Sequence, residues 1–510
     1  VAKGLRSSAL STVDSLVIGV ASTGPAYSIA ATLGLVAAGV GLQAPAIVLL
    51  AFLPTFCCAL GYYHLNRAEP DCGTSFVWVS RAFGPVWGWL SGWAIVVCDV
   101  LVMASLAQVT GQYTFLLVGA AEIGADPTHP AVLAVGVAFI LGMTWLCVRG
   151  IRVSAKLQTA LVGIEAVMLL LFAVVALVRV GAGFAAGTPI PGSSLPSWEW
   201  FVPINMDLST FANTVLLMVF IYWGWDSVLS VNEETRDRHR APGRAALTAT
   251  VVLLGIYLLT TVAALAYAGV GTTGLGLANP DHFDDVIAAL GTAVFGDSAL
   301  GQVLVHLLVL MVLTSAAAST QTTLLPTART TFSMAFHRAL PAVFGRVHPR
   351  RLTPSVSTWA MGLVSVALYI VLNFTAGGGM IADAVTACGI AIGFYYGMTG
   401  LACAKLYRDR AVGPGQVLSR RILPGLGGLM MLAAALWLTI TSLAPDFGET
   451  VVRIGPWEIG AVFVLGAVGM LVGIPLMLWQ RRVGPDFFRH GFARTLPAAD
   501  QVPEPVREQG

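Results

Sequence analysis

About twelve long apolar stretches, each near the ~20 residues that a helix needs to cross hydrocarbon, dominate this chain. They run over roughly 14–39, 43–64, 86–118, 130–148, 155–179, 207–231, 245–270, 300–335, 355–374, 380–405, 424–444 and 457–480. With 56% hydrophobic and 11% charged residues, no soluble core of ordinary size could bury so much apolar surface. Inside a bilayer every peptide group must be bonded within the protein, which leaves helices as the economical way to cross. The expected fold is therefore all-α and polytopic, with about 12 transmembrane helices.

Charge sets the orientation. When the loops are assigned alternately to the two sides, all but Arg179 and Arg453 of the 28 Lys and Arg fall on one of them. The positive-inside rule makes that side cytoplasmic and puts both termini there, in a multi-pass protein of the cell (plasma or inner) membrane. Acidic residues gather on the other side, as in Asp281, Asp284, Asp285 and Asp297. Basic residues scattered over many short loops give no nucleic-acid surface. The seven cysteines lie mostly in or beside apolar runs, without disulfide or metal spacing, and read as small buried hydrophobes. Lys3 and Arg6 precede the first apolar run, which is too long for a signal peptide and carries no clear cleavage site. Residues 74–84 suggest a short amphipathic helix before span three, and 283–295 a helix on the acidic side before span eight. A tail from Pro497 to Gly510 reads as disordered.

Two spans are interrupted. Span one holds Gly19-Val20-Ala21-Ser22-Thr23-Gly24-Pro25, and span six holds Phe220-Ile221-Tyr222-Trp223-Gly224-Trp225-Asp226. Glycine and proline also serve as plain packing or kink residues in membrane helices. Two breaks at corresponding places of two five-span halves, however, are the sequence mark of a transporter's binding site.

The segment GYYHLNRAEPDCGTSFVWVSRAFGPVWGWLSGW at 61–93 resembles the span-two to span-three signature of the amino acid–polyamine–organocation permeases. Arg149 to Lys156, Asn232 to Pro242, and Gly345 to Pro349 with Thr353-Pro354 resemble further segments of that family, in the same order. The resemblance covers roughly residues 10–480. It implies a core of two inverted five-helix repeats with helices 1 and 6 broken, and solute held between the breaks. The organisation that follows is a cytoplasmic N-terminus at 1–12, a transport core at 13–410 (repeats at about 13–180 and 205–406), helices 11 and 12 at 411–480, and a cytoplasmic tail at 481–510 that is expected to be disordered.

Carried over residue by residue, the resemblance assigns substrate contacts to Val20, Ala21, Ser22, Thr23 and Gly24, and to Phe220, Tyr222, Trp223 and Gly224. Thr23 and Gly24 would meet a carboxylate, the carbonyls of Val20, Phe220 and Trp223 an amine, and the Phe220 ring would close over the solute. Pro25 departs from the usual pattern and removes one N–H donor beside the carboxylate site. Aromatic packing against lipid is the plainer reading of Phe220 and Trp223.

Ionisable residues within spans are expensive and therefore informative. Glu165 lies some 11 residues into span five, ~16 Å deep at 1.5 Å per residue, amid apolar neighbours. Several relatives carry a lysine at the matching place; an acid here points to proton coupling or to contact with a cationic substrate, or to a protonated carboxyl bonded to a neighbouring helix. Asp226 reads as a gating acid or a helix cap, and Asp99 as a further coupling candidate. Thr314, Ser315 and Ser319 offer span-eight hydroxyls for a possible sodium site. His306 reads as an interface anchor, and Glu233, Glu234 and Arg236 to Arg244 as a mostly solvated charge network.

Together these features point to a secondary transporter moving an amino acid by alternating access, through proton-coupled symport or exchange. An organic-amine or polyamine carrier of the same family is the alternative. A channel lacks a filter-like loop, and a sensor lacks an output domain. An enzyme lacks any nucleophile–base pair, and no metal or cofactor is expected. The partners are a small solute, a proton or sodium ion, and the bilayer, in a monomer or homodimer.

Overall fold

The structure is a computed structural model and describes residues 3–204, 206–280, 286–375, 379–410 and 413–497, leaving aside the side chain of Ser154. Asp281, Asp284, Asp285 and residues 498–510 of the expected disordered tail lie outside these residues.

Among the described residues, ten helical segments are long and apolar enough to cross a membrane. The first, Thr12–Ala68, contains two crossings, because a single 3-10 turn at Gly41–Gln43 reverses the chain between Pro25–Val40 and Ala44–Ala68. The shorter Leu208–Ile221 begins span six. That makes twelve crossings. Span three (Pro85–Leu117) packs at the centre between spans eight (Ala299–Phe336) and ten (Gly379–Leu406). Span one packs on spans five (Ile151–Ala185), seven (Ala241–Ala268) and eight. Spans four (Pro130–Arg149), nine (Ser355–Asn373), eleven and twelve keep most of their surface outside this bundle.

Local chemistry starts these helices where it should. Ser11 and Asp14 form a reciprocal capping box at span one, with Asp14 N–H donating to Ser11 Oγ at 3.2 Å and Ser11 N–H to Asp14 Oδ2 at 2.8 Å. Asp207 accepts from Thr210 N–H at the start of span six, and Ser298 accepts from Gly301 N–H at span eight. Pro25, Pro85, Pro130 and Pro242 occupy first-turn positions, where a missing N–H costs nothing.

Small residues let spans approach closely. Gly393, Gly397 and Gly400 of span ten face Gly428 and Ala435 of span eleven, and a Cβ on Gly397 would lie 2.6 Å from Leu432 Cγ. None of the seven cysteines forms a disulfide among the described residues; six are buried and Cys57 is half-buried.

Four sequence expectations are revised. The short helix before span three, Ser75–Phe83, is buried over almost its whole length beneath spans three and ten, so it is a wedge and no surface amphipath. Span twelve begins only at Ala461, because Trp457–Gly460 pairs antiparallel with Val451–Ile454 as a two-stranded hairpin. Arg453 of that hairpin pairs with Glu458 at 2.9 Å. Residues 484–497 dock on the basic face, with Phe487 and Leu496 buried and Arg81 donating to the carbonyls of Ala493 and Thr495.

The charge network after span six is the fourth revision: part of it is buried. Glu234 pairs with Arg329 of span eight at 2.8 Å, with 0% and 1% side-chain exposure. Glu233 joins Asp71 around Lys3, whose Nζ lies 2.6 Å from Asp71 Oδ1 and 2.8 Å from Glu233 Oε1. Ala9 and Leu10 N–H groups donate to the Glu234 carbonyl, so the N-terminal segment is strapped across the basic face. Burial by itself would lower the Lys3 pKa, but the Asp71 and Glu233 charges outweigh it and raise it. Burial would likewise raise Asp71, and the Lys3 charge with the His337 contact holds it well below the usual carboxylate range. Asp71, Cys72 and Glu233 stand close enough to ligate a metal together, yet the Lys3 ammonium already contacts all three.

Candidate functional site

Span one breaks at one residue. Thr12–Thr23 ends, Gly24 takes the left-handed conformation (φ 51°, ψ 63°), and Pro25 opens the second half. Glycine is favoured twice here: its left-handed φ is costly for a residue with a β-carbon, and a Cβ would come within 2.7 Å of Ser319 Oγ. Span six breaks more widely. Its first half ends at Ile221, residues 222–226 form turns, and a short helix resumes at Ser227–Ser230. Gly224 has φ 112°, and a Cβ there would lie 2.6 Å from the Ser22 carbonyl. The two breaks touch directly: Ser22 Oγ donates to Ser227 Oγ at 2.6 Å.

Backbone groups freed by the breaks find side-chain partners. Tyr257 of span seven donates to the Ile221 carbonyl at 2.6 Å. Ser319 of span eight donates to the carbonyls of Ala21 and Ser22 at 3.1 and 3.2 Å. At the start of the second half of span one, Ala26 N–H donates to Glu165 Oε1 at 2.6 Å and Tyr27 N–H to Ser315 Oγ at 3.3 Å. Ser315 also donates to Glu165 Oε1 at 2.7 Å. Glu165 is thus a buried carboxylate (1% exposed) set on a half-helix N-terminus, where partial positive charge attracts it. Its Oε2 has no hydrogen-bond partner among the described residues.

Between spans one, three, six and eight lies a narrow space of about 10 Å³, lined by the Ser22, Thr23 and Ser28 end of span one, Phe220 and Trp223, and Ser319 and Thr323. Tyr27, Val102 and Leu106 complete its wall. The Phe220 and Trp223 rings stack, with centroids 6.3 Å apart. No lysine, arginine or histidine lines this space.

The residues expected at the site therefore separate. Ser22, Thr23, Phe220 and Trp223 face the space. Val20 contributes a carbonyl that accepts from Thr23 Oγ1 at 2.8 Å, while Ala21, Gly24 and Gly224 shape the breaks. Tyr222 turns away and donates to the Val48 carbonyl of span two at 3.1 Å. In span eight, Ser315 and Ser319 meet span one, but Thr314 bonds back to Met311 of its own helix. Asp99 accepts from Thr327 of span eight. Asp226 accepts from Tyr396 of span ten at 2.6 Å, and its carboxylate does not cap the short helix it precedes. His306 contacts the carbonyl of Gln302 one turn back and is exposed.

Several contributors were not legible in sequence. Tyr395 accepts from Trp223 Nε1 at 2.7 Å, tying the span-six break to span ten. Gln158 lies below Glu165 on span five and bonds Gln321 and the Ala318 carbonyl. The adjacent Tyr395-Tyr396 pair and the polar Gln158 were the available signals, each within an otherwise apolar span.

The chain matches the family model described as amino acid permease over residues 8–477. An uncharacterised transporter of Mycobacterium tuberculosis is 27% identical over 435 residues, covering 84% of this chain and 86% of that protein. The vacuolar cationic amino acid transporter 4 of Arabidopsis thaliana is 27% identical over 372 residues, covering 70% and 58%. The crystal structure of MhsT in complex with L-phenylalanine superposes with a TM-score of 0.57 at 15% identity, over 82% of this chain and 98% of that one. The helical fold is shared with that structure.

Proposed function

Because this chain belongs to the amino acid permease family, we propose that it carries a small amine-bearing solute, an amino acid or a related amine, across the cell membrane by alternating access. One observation carries the reading: two spans lose their helix at facing points, touch through Ser22 and Ser227, and border one narrow space. A break at that depth costs backbone hydrogen bonds, which a site for a small polar solute can reclaim. The stacked Phe220 and Trp223 suit the apolar part of the solute or its ammonium, by ring-face attraction. The basic face is taken as cytoplasmic, with both termini on it. Residues 13–410 would form the moving core, with spans eleven and twelve alongside.

Proton coupling is assigned to Glu165. Its carboxylate joins span five to the second half of span one and to span eight, so a proton on it would loosen contacts between elements that must separate. Asp226 and Asp99, each bonded to a hydroxyl of another span, are candidates for gating. Uptake into proteoliposomes tests this. Wild-type protein should respond to an imposed pH gradient, and Glu165→Gln should transport without that response. Retained pH-gradient dependence in Glu165→Gln would exclude the role. Equal initial rates in sodium and choline buffers are expected; a sodium requirement would move the coupling to Ser315, Ser319 and the span-one carbonyls.

A second reading, that the solute lacks a carboxylate, has a specific observation behind it. From Gly24 to Ser28 every backbone position is without an N–H or has it bonded: Gly24 to Ala21, Ala26 to Glu165, Tyr27 to Ser315, Ser28 to Gly24. An amino acid's carboxylate would have to displace Glu165 from that half-helix, whereas a simple amine would not.

A further inference from the structure

On the basic face, away from the solute space, a second cavity of about 430 Å³ opens where the ends of spans two and ten meet the starts of spans seven and eleven. His64, Arg67, His239, Arg240, Arg410 and Arg420 line it, and no carboxylate does. Four other basic side chains of this face are paired: Lys3 with Asp71 and Glu233, Arg81 with Glu69, Arg329 with Glu234, Arg338 with Asp486. None of the four arginines around this cavity is in an ion pair among the described residues. Arg410 donates to the carbonyls of Leu496 and Pro497, and the Arg420 guanidinium lies 5.4 Å from the Tyr407 ring centre. His64, 9% exposed, has a buried Nε2 without a partner, and the His239 Nε2 is in the same condition.

Four like charges around one opening repel each other unless an anion or water screens them. Guanidinium forks and imidazole N–H groups together match the oxygens of a phosphate. The depth also matters. The cavity sits at helix ends on the positive side, the level of lipid headgroups, where basic pockets between transmembrane helices hold anionic ones. Leu418, Ile422, Leu426 and Leu429 are exposed at helical spacing from beside Arg420 along span eleven, an apolar track that an acyl chain could follow. We propose that this cavity binds the phosphate headgroup of an anionic phospholipid, seated between Arg67, Arg240 and Arg420 with its chain on span eleven. The site does not depend on which solute the protein carries.

The full chain in nanodiscs tests it, by native mass spectrometry and thermal unfolding with phosphatidylglycerol or phosphatidylcholine of identical chains. Phosphatidylglycerol should be retained through delipidation and should raise the unfolding temperature. Affinity should fall about fivefold for each guanidinium removed in Arg67→Gln, Arg240→Gln and Arg420→Gln. Arg421→Gln, an exposed neighbour outside the cavity, should change nothing. Equal retention of the two lipids by the wild type overturns the proposal without any variant, as does full phosphatidylglycerol binding by a folded triple variant. Inorganic phosphate giving the same stabilisation alone would assign the pocket to a soluble phosphate-bearing solute instead. Binding that emerges only after residues 498–510 are deleted would give it to the chain's own acidic segment with Asp500, Glu504 and Glu508.

Discussion

Two glycines hold the site open to chemistry. Gly24 and Gly224 combine positive φ with contacts of 2.7 and 2.6 Å that any β-carbon would create. Gly24→Ala should cost about 1–2 kcal/mol from the left-handed backbone, plus the displacement of Ser319. Gly224→Ala, pressing on the Ser22 carbonyl, should abolish uptake while leaving a folded, monodisperse protein; unchanged uptake kinetics would show that the breaks need not touch. Glu165 was legible as a deep acid because nothing else near it in sequence is polar. Its partners, Ala26 and Ser315, are 139 and 150 residues away along the chain, so only the packing of three helices revealed them.

At the scale of elements, the N-terminal strap and the span ten–eleven contact carry distinct expectations. Lys3 holds Asp71 and Glu233 across the end of the bundle, and a buried pair broken from one side typically costs about 3–5 kcal/mol. Lys3→Met should therefore free residues 3–11 for hydrogen exchange and expose the buried Cys72 thiol to maleimide; protection equal to wild type would mean that the strap is held by its backbone bonds alone. The pH window follows from the two shifts. Asp71, held below its ordinary range, gives stability above about pH 4 that fades as pH falls through its lowered value. Lys3, raised, gives stability below about pH 10 that fades only as pH climbs through its raised value. Strap protection should then be flat across neutral pH and weaken in acid. In the other contact, Gly397→Leu would drive a side chain into Leu432 and Gly428, and overpacking of this kind costs about 1–3 kcal/mol. A lowered unfolding temperature with spans eleven and twelve released first is the expected result.

Across the whole molecule, the topology predicts that a tag placed before Lys3 is protected from protease in intact cells, while one inserted at Gly274, in the loop after span seven, is cut. The reverse pattern would invert the orientation read from the loop charges. The apolar run lengths determined the helical membrane fold, because lipid leaves so few ways to satisfy a backbone. The same local rule exposed the paired breaks in spans one and six, since glycine, proline and an acid at bilayer depth violate the pattern around them. What sequence could not determine was orientation about each helix axis. Tyr222 and Trp223 are adjacent in the chain, yet one bonds span two and the other faces the solute space. Glu233 and Glu234 looked like solvated loop charges until Lys3 and Arg329, from distant segments, closed over them. Apolar periodicity cannot fix helix rotation in a protein whose lipid-facing and core-facing surfaces are both hydrophobic, so tertiary packing alone decided which side chains meet.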